Sequence, residues 1–355
     1  MRVIEVNCAS HRLPLSDTWD GGVSFHDLVV VRVVTDTGAE GTGVSWTPRV
    51  GASAVRAIVE DECAPLLEGR TPHPKVRWQE LYDYLHEAGP GGVTAMALAA
   101  VDIALWDLRA KAFGSSLVDL IGRRRDSVTA YASGVNLDYD LDKLCAQVRR
   151  WVDAGHSGVK IKVGSADLDR DLERLAAVRA ILGSKRKLMV DANQRWDVPT
   201  ASRAINAFET FDPSWIEEPL PADDIAGHAH LRAMTRMPFA IGENLRTVRQ
   251  FRDALVAGLC DIAQPNVVRV GGITPFLRIA DLTATFGVPI APHLLPELSA
   301  QLAMCVPMVS MVEDIDRASF ADLNVLSEPS GITIDAEGAR TSTGPGHGLV
   351  FRPGR

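Results

Sequence analysis

Cysteines are few in this sequence, and none stands in the spacing of a metal site or a disulfide framework. The five cysteines are odd in number and far apart, and no C-x-x-C occurs. Small secreted domains depend on dense, paired cysteines, whereas thiols in a reducing compartment stay free. Residues 1–10 also lack the basic and apolar regions of a signal peptide. We therefore expect buried free thiols and a cytoplasmic protein.

An excess of positive charge is absent as well. Lysine and arginine total 37 against 45 aspartates and glutamates, which gives a net charge of −8. Nucleic-acid binding needs a basic surface that releases counterions from phosphates, so we predict no nucleic-acid partner. The most apolar stretch, residues 96–106, is interrupted by Asp102 and is too short to span a bilayer. We therefore predict no membrane association.

Low-complexity tracts and long linkers are also missing, so any domains of the 355-residue chain must be tightly joined. At about 150 residues per domain, this length suggests two domains or one large barrel with an appendage. Periodicity predicts strands at residues 3–6 and 27–35, followed by helices at residues 52–67, 79–85 and 94–112. Residues 1–125 are therefore predicted to form an α+β unit. The Gly- and Pro-rich residues 322–355 are expected to pack back on it.

From residue 126 to residue 321, short apolar strands alternate with amphipathic helices. The predicted strands are residues 128–133, 158–163, 187–191, 214–217, 238–242, 261–264, 288–291 and 308–313. This alternation forms parallel βαβ units, and eight strands at spacings of about 25 residues are typical of a TIM-like α/β barrel. A doubly wound open sheet is the alternative. It is disfavoured because no G-x-G-x-x-G follows the first strand.

Polar side chains end the predicted barrel strands from the second to the eighth. Barrel chemistry takes place at these carboxyl ends. Asp191, Glu217 and Glu243 end adjacent strands and are spaced 26 residues apart. Like charges held this close repel unless a cation neutralises them, and hard oxygen ligands suit Mg²⁺. We predict a Mg²⁺ site, although a single carboxylate at such a position is also typical of a helix cap.

Two lysines and a histidine are predicted at the same rim. Lys160 and Lys162 alternate on the second strand, so both point to the barrel interior. Two buried ammonium groups lower each other's pKa, which makes one of them a candidate base near neutral pH. His293 ends the seventh strand. Because it shares the rim with the lysines and the carboxylates, we interpret it as catalytic rather than structural.

These motifs together resemble the enolase superfamily, and within it the mandelate racemase subgroup of the acid-sugar dehydratase type. The matching motifs are Lys160-x-Lys162, Asp191-x-Asn193, Trp215-Ile216-Glu217-Glu218-Pro219, Gly242-Glu243-Asn244, Gly271-Gly272, His293 and Glu313, preceded by a helix of the family's capping domain at residues 99–107. The resemblance covers nearly the whole chain. It implies a modified TIM barrel, (β/α)7β, at residues 126–321, with an α+β capping domain made of residues 1–125 and 322–355. It also implies a homo-oligomer, from dimer to octamer.

The resemblance further implies a reaction in which a base removes the α-proton of a carboxylate substrate to give an enediolate. Asp191, Glu217 and Glu243 would bind Mg²⁺. Lys162 would be the base on one face of the substrate, and His293 would act on the opposite face.

Supporting roles follow from the same resemblance. Lys160 would lower the pKa of Lys162 and steady the substrate carboxylate. Glu313 would hydrogen-bond that carboxylate as an acid, which requires it to be protonated. Asn193 would contact the metal shell or the substrate.

One position departs from the family pattern. The family pairs its histidine with an aspartate at the end of the sixth strand, where this sequence has Asn266. An asparagine carbonyl can hold the Nδ1–H tautomer but stabilises the imidazolium only weakly. We therefore hypothesise that His293 is a weaker base here, still able to protonate a leaving hydroxyl or carbon. In the alternative, Lys162 carries out all of the chemistry.

Substrate identity in this family is set by capping-domain loops, which we place at residues 13–25 and 45–51. Trp19, Asp20, Trp46 and Arg49 lie there, and this mixture of indoles and hydrogen-bonding groups favours a sugar acid over an apolar ring. Arg49 is either a partner for a distal carboxylate or a surface arginine. We predict dehydration of an aldonate or aldarate to a 2-keto-3-deoxy acid. The alternatives are a racemase or epimerase, a cycloisomerase, and a carboxylate-binding protein without turnover.

Overall fold

The computed structural model describes residues 1–19, 22–341 and 344–354. Its first layer is an antiparallel sheet of β1 (Val3–Trp19), β2 (Val23–Thr35) and β3 (Glu40–Thr47), in that spatial order. β1 runs well beyond the predicted residues 3–6 because it keeps pairing with β2 as far as Trp19 and Val23. Residues 13–25 are therefore mostly the end of a hairpin rather than a loop, and Asp20 lies outside the described residues.

Helices cover one face of this sheet. They are α1 (Ala52–Ala57), α2 (Ala64–Leu67), α3 (Pro74–Leu85), α4 (Val93–Ala112) and α5 (Leu117–Ile121), with a π-helical turn over Ile58–Cys63 and a 3-10 turn over His86–Ala88. α4 lies against β3 at Gly43. A Cβ atom there would stand 2.0 Å from the carbonyl oxygen of Ala100, so the close approach requires glycine.

A curled parallel sheet forms the second layer. Its strands are β4 (Ala130–Ser133), β5 (Gly158–Lys162), β6 (Lys187–Asp191), β7 (Ile216–Glu217), β8 (Phe239–Ile241), β9 (Ile262–Ala263) and β10 (Val312–Ile315). The spatial order is β10-β4-β5-β6-β7-β8-β9, which follows the chain except that the last strand lies beside the first. This order confirms the predicted barrel and excludes the doubly wound sheet, whose strand order reverses partway.

Seven helices surround the barrel in the described part of the chain. They are α6 (Leu141–Asp153), α7 (Leu168–Leu182), α8 (Val198–Phe208), α9 (Ile225–Met234), α10 (Val248–Val256), α11 (Ile273–Thr285) and α12 (Pro296–Ala303), with a 3-10 turn over Glu209–Phe211. α6, α7, α8 and α9 each begin at an aspartate whose side chain accepts a backbone N–H of the first turn. These caps fix where four of the barrel helices begin.

The barrel closes through a single residue of the predicted seventh strand, Ile290. Its N–H donates to the carbonyl of Met308 at 3.1 Å, and its carbonyl accepts from the N–H of Ser310 at 2.7 Å. On its other side, Ala263 exchanges two backbone hydrogen bonds of 2.9 Å with residues 289 and 291. With Ile290 counted as the seventh strand, the architecture is (β/α)7β.

The C-terminal tail forms a second hairpin, β11 (Ile332–Asp335) and β12 (Gly338–Thr341). β12 pairs with Val128 through the two backbone hydrogen bonds of Ala339. Beyond it, the N–H of His347 donates to Asp107 on α4 at 3.0 Å, and its Nε2 lies 2.7 Å from the carbonyl oxygen of Thr42. The tail therefore touches both layers.

A buried carboxylate links α4 to the barrel. Asp102 accepts the backbone N–H of Thr274 at 2.8 Å and the hydroxyl of the same residue at 2.7 Å. Trp106 donates its indole N–H to that hydroxyl at 3.0 Å. Burial raises the pKa of Asp102 to about 7.

The structure also bears on membrane spans and on the cysteines. No helix in the described residues combines the length and the apolar character needed to cross a bilayer. All five cysteines are free, and four of them are buried.

Candidate active site

Three carboxylates meet at the carboxyl ends of neighbouring barrel strands. Asp191 ends β6, Glu217 ends β7 and Glu243 follows β8. All three side chains are buried, and one oxygen of each lies within 4.8 Å of one oxygen of each of the others. The structure brings the predicted triad together because parallel pairing aligns these strand ends in register.

The cluster has the chemistry of a divalent-cation site. Burial and the neighbouring Asp191 raise the pKa of Glu217 well above its usual range, because the crowded charges repel each other. Carboxylate oxygens on rigid strands are donors that Mg²⁺ accepts, and a divalent cation relieves this repulsion. Asp191, Glu217 and Glu243 therefore fit a magnesium ion.

Lys160 and Lys162 both point into this cluster from β5. Nζ of Lys160 lies 2.9 Å from both carboxylate oxygens of Glu217 and 2.9 Å from Oε1 of Glu313. Nζ of Lys162 donates to Oδ2 of Asp191 at 2.5 Å. Lys160 does lower the pKa of Lys162, as predicted, but the neighbouring carboxylates outweigh this effect. Although burial lowers both, the carboxylates raise the pKa of Lys162, and that of Lys160 more strongly.

The surroundings of Glu313 favour its ionised form, whereas its predicted role as an acid requires it to be protonated. It pairs with Lys160 and accepts the backbone N–H of Leu294 at 3.0 Å. Burial alone would raise its pKa, but Lys160 and His293 together lower the pKa to about 2. Glu313 thus forms an ion pair with Lys160.

Asn266 presents its amide nitrogen, and not its carbonyl, to His293. Oδ1 of Asn266 accepts the backbone N–H groups of Val268 at 3.0 Å and Arg269 at 3.1 Å, which fixes the orientation of the amide. Nδ2 then lies 3.1 Å from Nδ1 of His293. Because an amide nitrogen can only donate, Nδ1 must accept, and the ring hydrogen of the neutral imidazole resides on Nε2. The expectation that an asparagine carbonyl holds the Nδ1–H tautomer is therefore wrong.

Nε2 of His293 faces the acidic cluster. It lies 3.0 Å from Oε2 of Glu243, and the histidine side chain is mostly buried. An N–H at this position donates toward the site. His293 is therefore arranged as a hydrogen donor, on a different strand and a different side of the barrel from Lys162.

Sequence reasoning missed Arg269, which follows β9. Its Nη1 donates to the backbone carbonyl of Glu243 at 3.1 Å, to Oε1 of Glu243 at 3.2 Å and to Oδ1 of Asn244 at 2.8 Å. Although burial raises the pKa of Glu243, His293 and Arg269 lower it well below its usual range. Asn244 also donates to both oxygens of the buried Glu218, at 3.0 and 2.8 Å. This network orients the third carboxylate of the triad.

A pocket of about 300 Å³ opens above these groups. The barrel supplies Lys162, Glu243, His293, Glu313 and Asn193, and the first layer supplies Trp19, Trp46 and Arg49. Asn193 stands in the left-handed region, with φ of 45°, and its N–H donates to Oδ1 of Asp191 at 2.8 Å. The structure therefore brings all four predicted substrate-contacting residues to the pocket.

The two tryptophans are also packing residues. His26 stands between them, with its ring centroid 4.4 Å from that of Trp19 and 4.9 Å from that of Trp46, both edge to face. Burial lowers the pKa of His26 to about 4, so the wedge between the indoles is neutral at physiological pH. This cluster fixes the wall of the pocket that faces the barrel.

Two protein-family models match this chain. A model described as enolase C-terminal domain-like matches residues 143–354, and the mandelate racemase/muconate lactonizing enzyme N-terminal domain model matches residues 2–122. The chain belongs to the mandelate racemase/muconate lactonizing enzyme family of the enolase superfamily. The resemblance drawn from the strand-end motifs is thereby confirmed.

Relatives within this family differ in the reaction that they are named for. L-talarate/galactarate dehydratase from Salmonella typhimurium is 38% identical over 296 residues, covering 81% of this chain and 73% of that protein. 3,6-Anhydro-α-L-galactonate cycloisomerase from Streptomyces coelicolor is 34% identical over 346 residues, covering 96% of this chain and 94% of that protein. Family membership therefore leaves dehydration and cycloisomerisation both open.

A solved structure of the family shares the fold and holds the predicted metal. L-Talarate dehydratase from Polaromonas sp. JS666, complexed with Mg and L-glucarate, superposes with a TM-score of 0.88 at 37% identity. The match covers 99% of this chain and 95% of that one. This structural neighbour was crystallised with magnesium, and the buried triad of this chain is suited to the same ion.

Arg195 is a second pocket residue that sequence reasoning missed. It lies in the loop after β6, two residues beyond Asn193, and it lines the pocket. In the part of the chain that the structure describes, no carboxylate pairs with its guanidinium. Its place directly after the third barrel strand was a signal, because strand-end loops of a barrel build the site.

Proposed function

We propose that this protein dehydrates a sugar acid to a 2-keto-3-deoxy acid. The observation that supports this proposal is that Lys162 and His293, from different strands, line one pocket together with Glu243 of the carboxylate triad. A base at Lys162 and a hydrogen donor at His293 are the two groups that removal of an α-proton and loss of a β-hydroxyl require. Racemisation instead needs a base on each face of the substrate.

Lys162 and His293 divide the proton transfers between them. Nζ of Lys162, once unprotonated, takes the α-proton, and the electrons of the broken C–H bond pass into the substrate carboxylate to give an enediolate. The enediolate then forms the double bond between the α- and β-carbons. The β-hydroxyl leaves with the electrons of its C–O bond and takes a proton from Nε2 of His293 in its imidazolium form, so that water departs and a neutral histidine remains. The resulting enol tautomerises to the 2-keto acid.

Asp191, Glu217 and Glu243 would hold Mg²⁺. The ion would supply positive charge for the substrate carboxylate as its oxygens become more negative. Among the residues of this chain, Asp191 keeps Lys162 protonated, and the pKa of Lys162 falls when the charge of Asp191 is shared with another cation. Lys160 and Glu313 remain as a neutral pair beside them.

The pocket mouth favours a substrate with a second carboxylate. Arg195 and Arg49 both line it. A guanidinium binds a carboxylate through two parallel hydrogen bonds, so a diacid reaching from the triad to the mouth is held at both ends. The names of the relatives that act on talarate and galactarate, and the bound L-glucarate, support this preference for an aldarate.

Cycloisomerisation is the second candidate. The same donor at His293 can protonate a ring oxygen that leaves from the β-carbon, and the Streptomyces coelicolor cycloisomerase matches nearly the full chain. The product then keeps the composition of the substrate, whereas dehydration removes water.

A screen of acid sugars with Mg²⁺ in deuterated water tests the proposal. We expect a 2-keto product for at least one aldarate, detected as its semicarbazone, and no deuterium at the α-carbon of recovered substrate. Deuterium in recovered substrate without a keto product would establish racemisation or epimerisation instead. An isomeric product would establish cycloisomerisation.

The proposal also covers the domain organisation of the chain, its oligomeric state and its cellular location. We propose that residues 1–125 and 322–355 form the capping domain, and that residues 126–321 form the catalytic barrel. We further propose a cytoplasmic homo-oligomer that binds no nucleic acid. The acidic net charge supports the last point.

A further inference from the structure

A second pocket lies where α3 meets the barrel, outside the active site. Its volume is about 250 Å³, and its lining comes from α3, from the start of α10 with the two residues before it, and from α11 with Val270 before it. Three arginines line it, Arg246, Arg249 and Arg278, and no acidic side chain does. In a protein of net charge −8, this is a local concentration of positive charge.

The three guanidinium groups have only neutral partners in the described chain. Arg246 donates to Oδ1 of Asn244 at 3.2 Å, and Arg249 donates to the hydroxyl of Tyr82 at 3.4 Å. Arg278 donates to Oε1 of Gln79 at 3.3 and 3.4 Å. Within the residues that the structure describes, none of the three forms a salt bridge.

A nearby arginine outside the pocket does form a salt bridge. Arg252 lies on α10, as Arg249 does, yet it pairs with Asp253 at 2.6 Å. Burial and the charge of Arg269 lower the pKa of Arg246 to about 10, and the carboxylates of Glu218 and Glu243 offset this only in part. Clustered cations without a counter-charge are destabilising unless an anion joins them.

Two stacked aromatic rings form the remaining wall. The ring centroids of Trp78 and Tyr82 are 4.8 Å apart with an angle of 16° between the planes. The guanidinium carbon of Arg278 stands 4.6 Å from the centroid of Trp78. Tyr82 and Arg278 thus cover the two faces of the Trp78 ring, so a ligand in the pocket meets guanidinium donors beside the edges of this aromatic stack.

We propose that this pocket binds a small organic anion carrying a phosphate or carboxylate group. The arginines supply charge-assisted hydrogen bonds to its oxygens, and Trp78 and Tyr82 contact its apolar part. The site is separate from the substrate pocket, which is lined by different residues. The proposal does not depend on the proposed reaction.

Calorimetric titration of the full chain in EDTA tests this site with three probes: inorganic phosphate, succinate and phenyl phosphate. We expect saturable binding, tightest for phenyl phosphate because only that probe reaches both the arginines and the rings. The double variant Arg249→Gln/Arg278→Gln is expected to bind about tenfold more weakly or worse. Phosphate and succinate distinguish the two anion chemistries by their relative affinities.

Matched controls locate the binding. Arg252→Gln changes an arginine of the same helix outside the pocket, and Arg195→Gln changes the active-site mouth, so both are expected to bind like the wild type. The indole N–H resonance of Trp78, assigned with Trp78→Phe, reports occupancy directly in the wild-type protein. It is expected to shift on titration while those of Trp19 and Trp46 do not.

Three results would overturn the proposal. The first is no saturable binding of any probe, or an unmoved Trp78 resonance during binding. The second is equal weakening by Arg252→Gln, which would mean general electrostatic attraction. The third is a change in sedimentation of the double variant without any anion, which would mean that a second copy of the chain covers the pocket.

Discussion

The side-chain nitrogen of Asn266 lies 3.1 Å from Nδ1 of His293, while its oxygen is occupied by two backbone N–H groups. This contact places the imidazole hydrogen on Nε2, which lies 3.0 Å from a carboxylate oxygen of Glu243. An aspartate at the same position would accept from Nδ1–H and leave Nε2 as a base. One amide therefore separates a histidine that donates from a histidine that accepts.

Asn266→Asp is expected to convert His293 into a base. One carboxylate oxygen can still accept the N–H groups of Val268 and Arg269, while the other accepts Nδ1–H. We expect α-deuterium to enter recovered substrate in deuterated water, and ¹⁵N spectra of His293 to report the change of tautomer. The double variant Asn266→Asp/His293→Asn should lose this exchange. An Asn266→Asp protein that shows neither effect would contradict the assigned tautomer.

Lys162→Ala is expected to lower kcat by about 10²- to 10⁴-fold, as loss of a general base does. Removing this ammonium group also removes a positive charge that competes for Asp191, so Mg²⁺ affinity should stay the same or rise. Turnover and Mn²⁺ binding are measured on the same preparation. His293→Asn serves for comparison, because it should abolish dehydration yet leave Lys162-dependent α-proton exchange. Loss of metal binding in Lys162→Ala would point to a structural defect instead.

Magnesium is expected to stabilise the fold. At a hundredfold excess over its Kd, a ligand that binds only the native state adds about 2.7 kcal/mol to the free energy of unfolding. Glu217→Gln should lose most of this gain because it removes a triad ligand. Glu218→Gln changes the neighbouring buried carboxylate, which lies outside the triad, and should keep the gain. Urea titrations with and without Mg²⁺ measure it, and equal gains in both variants would argue against the triad as the site.

Asp102→Asn is expected to flatten the pH dependence of stability. Burial raises the pKa of Asp102 from 3.8 to about 7, so between these values the native state holds a proton that the unfolded state has lost. This group therefore makes stability fall as pH rises through that window. Asparagine can accept from the N–H of Thr274 without this loss. Urea unfolding at pH 5 and pH 8 should show a smaller difference for Asp102→Asn than for the wild type, and identical slopes would refute the assignment.

Arg195→Gln is expected to discriminate diacids from monoacids. Loss of the guanidinium should raise KM for an aldarate about tenfold, because a charge-assisted contact to the distal carboxylate is lost. KM for the matching aldonate should barely change. Arg203→Gln, an exposed position on α8, controls for general charge effects. A similar rise in KM for both acids would show that Arg195 does not contact a second carboxylate.

Strand-end residues were predictable because a parallel barrel converts sequence spacing into spatial neighbourhood. Asp191 and Glu217 are adjacent because their strands pair in register, and the alternation of Lys160 and Lys162 sends both inward. These relationships follow from backbone geometry alone. No knowledge of side-chain contacts was needed to predict them.

Protonation states were not predictable in the same way. The pKa of Lys160 is raised by Glu217 and Glu313, which lie 57 and 153 positions away in the sequence and meet it only in the folded barrel. The orientation of the Asn266 amide depends instead on the turn that follows it. Its oxygen is captured by N–H groups two and three residues on, a local signal that the sequence does contain.

Because the barrel closes through Ile290 alone, backbone pairing is extensive on one side of the rim and sparse on the other. Lys162 and Asp191 end strands that pair over five residues. His293 instead follows the segment around Ile290, which is joined to the strand on each side by only two backbone hydrogen bonds. Local openings concentrate where backbone pairing is sparse. Warming will therefore misplace the proton donor before it misplaces the base, so that protonation of the leaving group fails first and the α-proton continues to exchange.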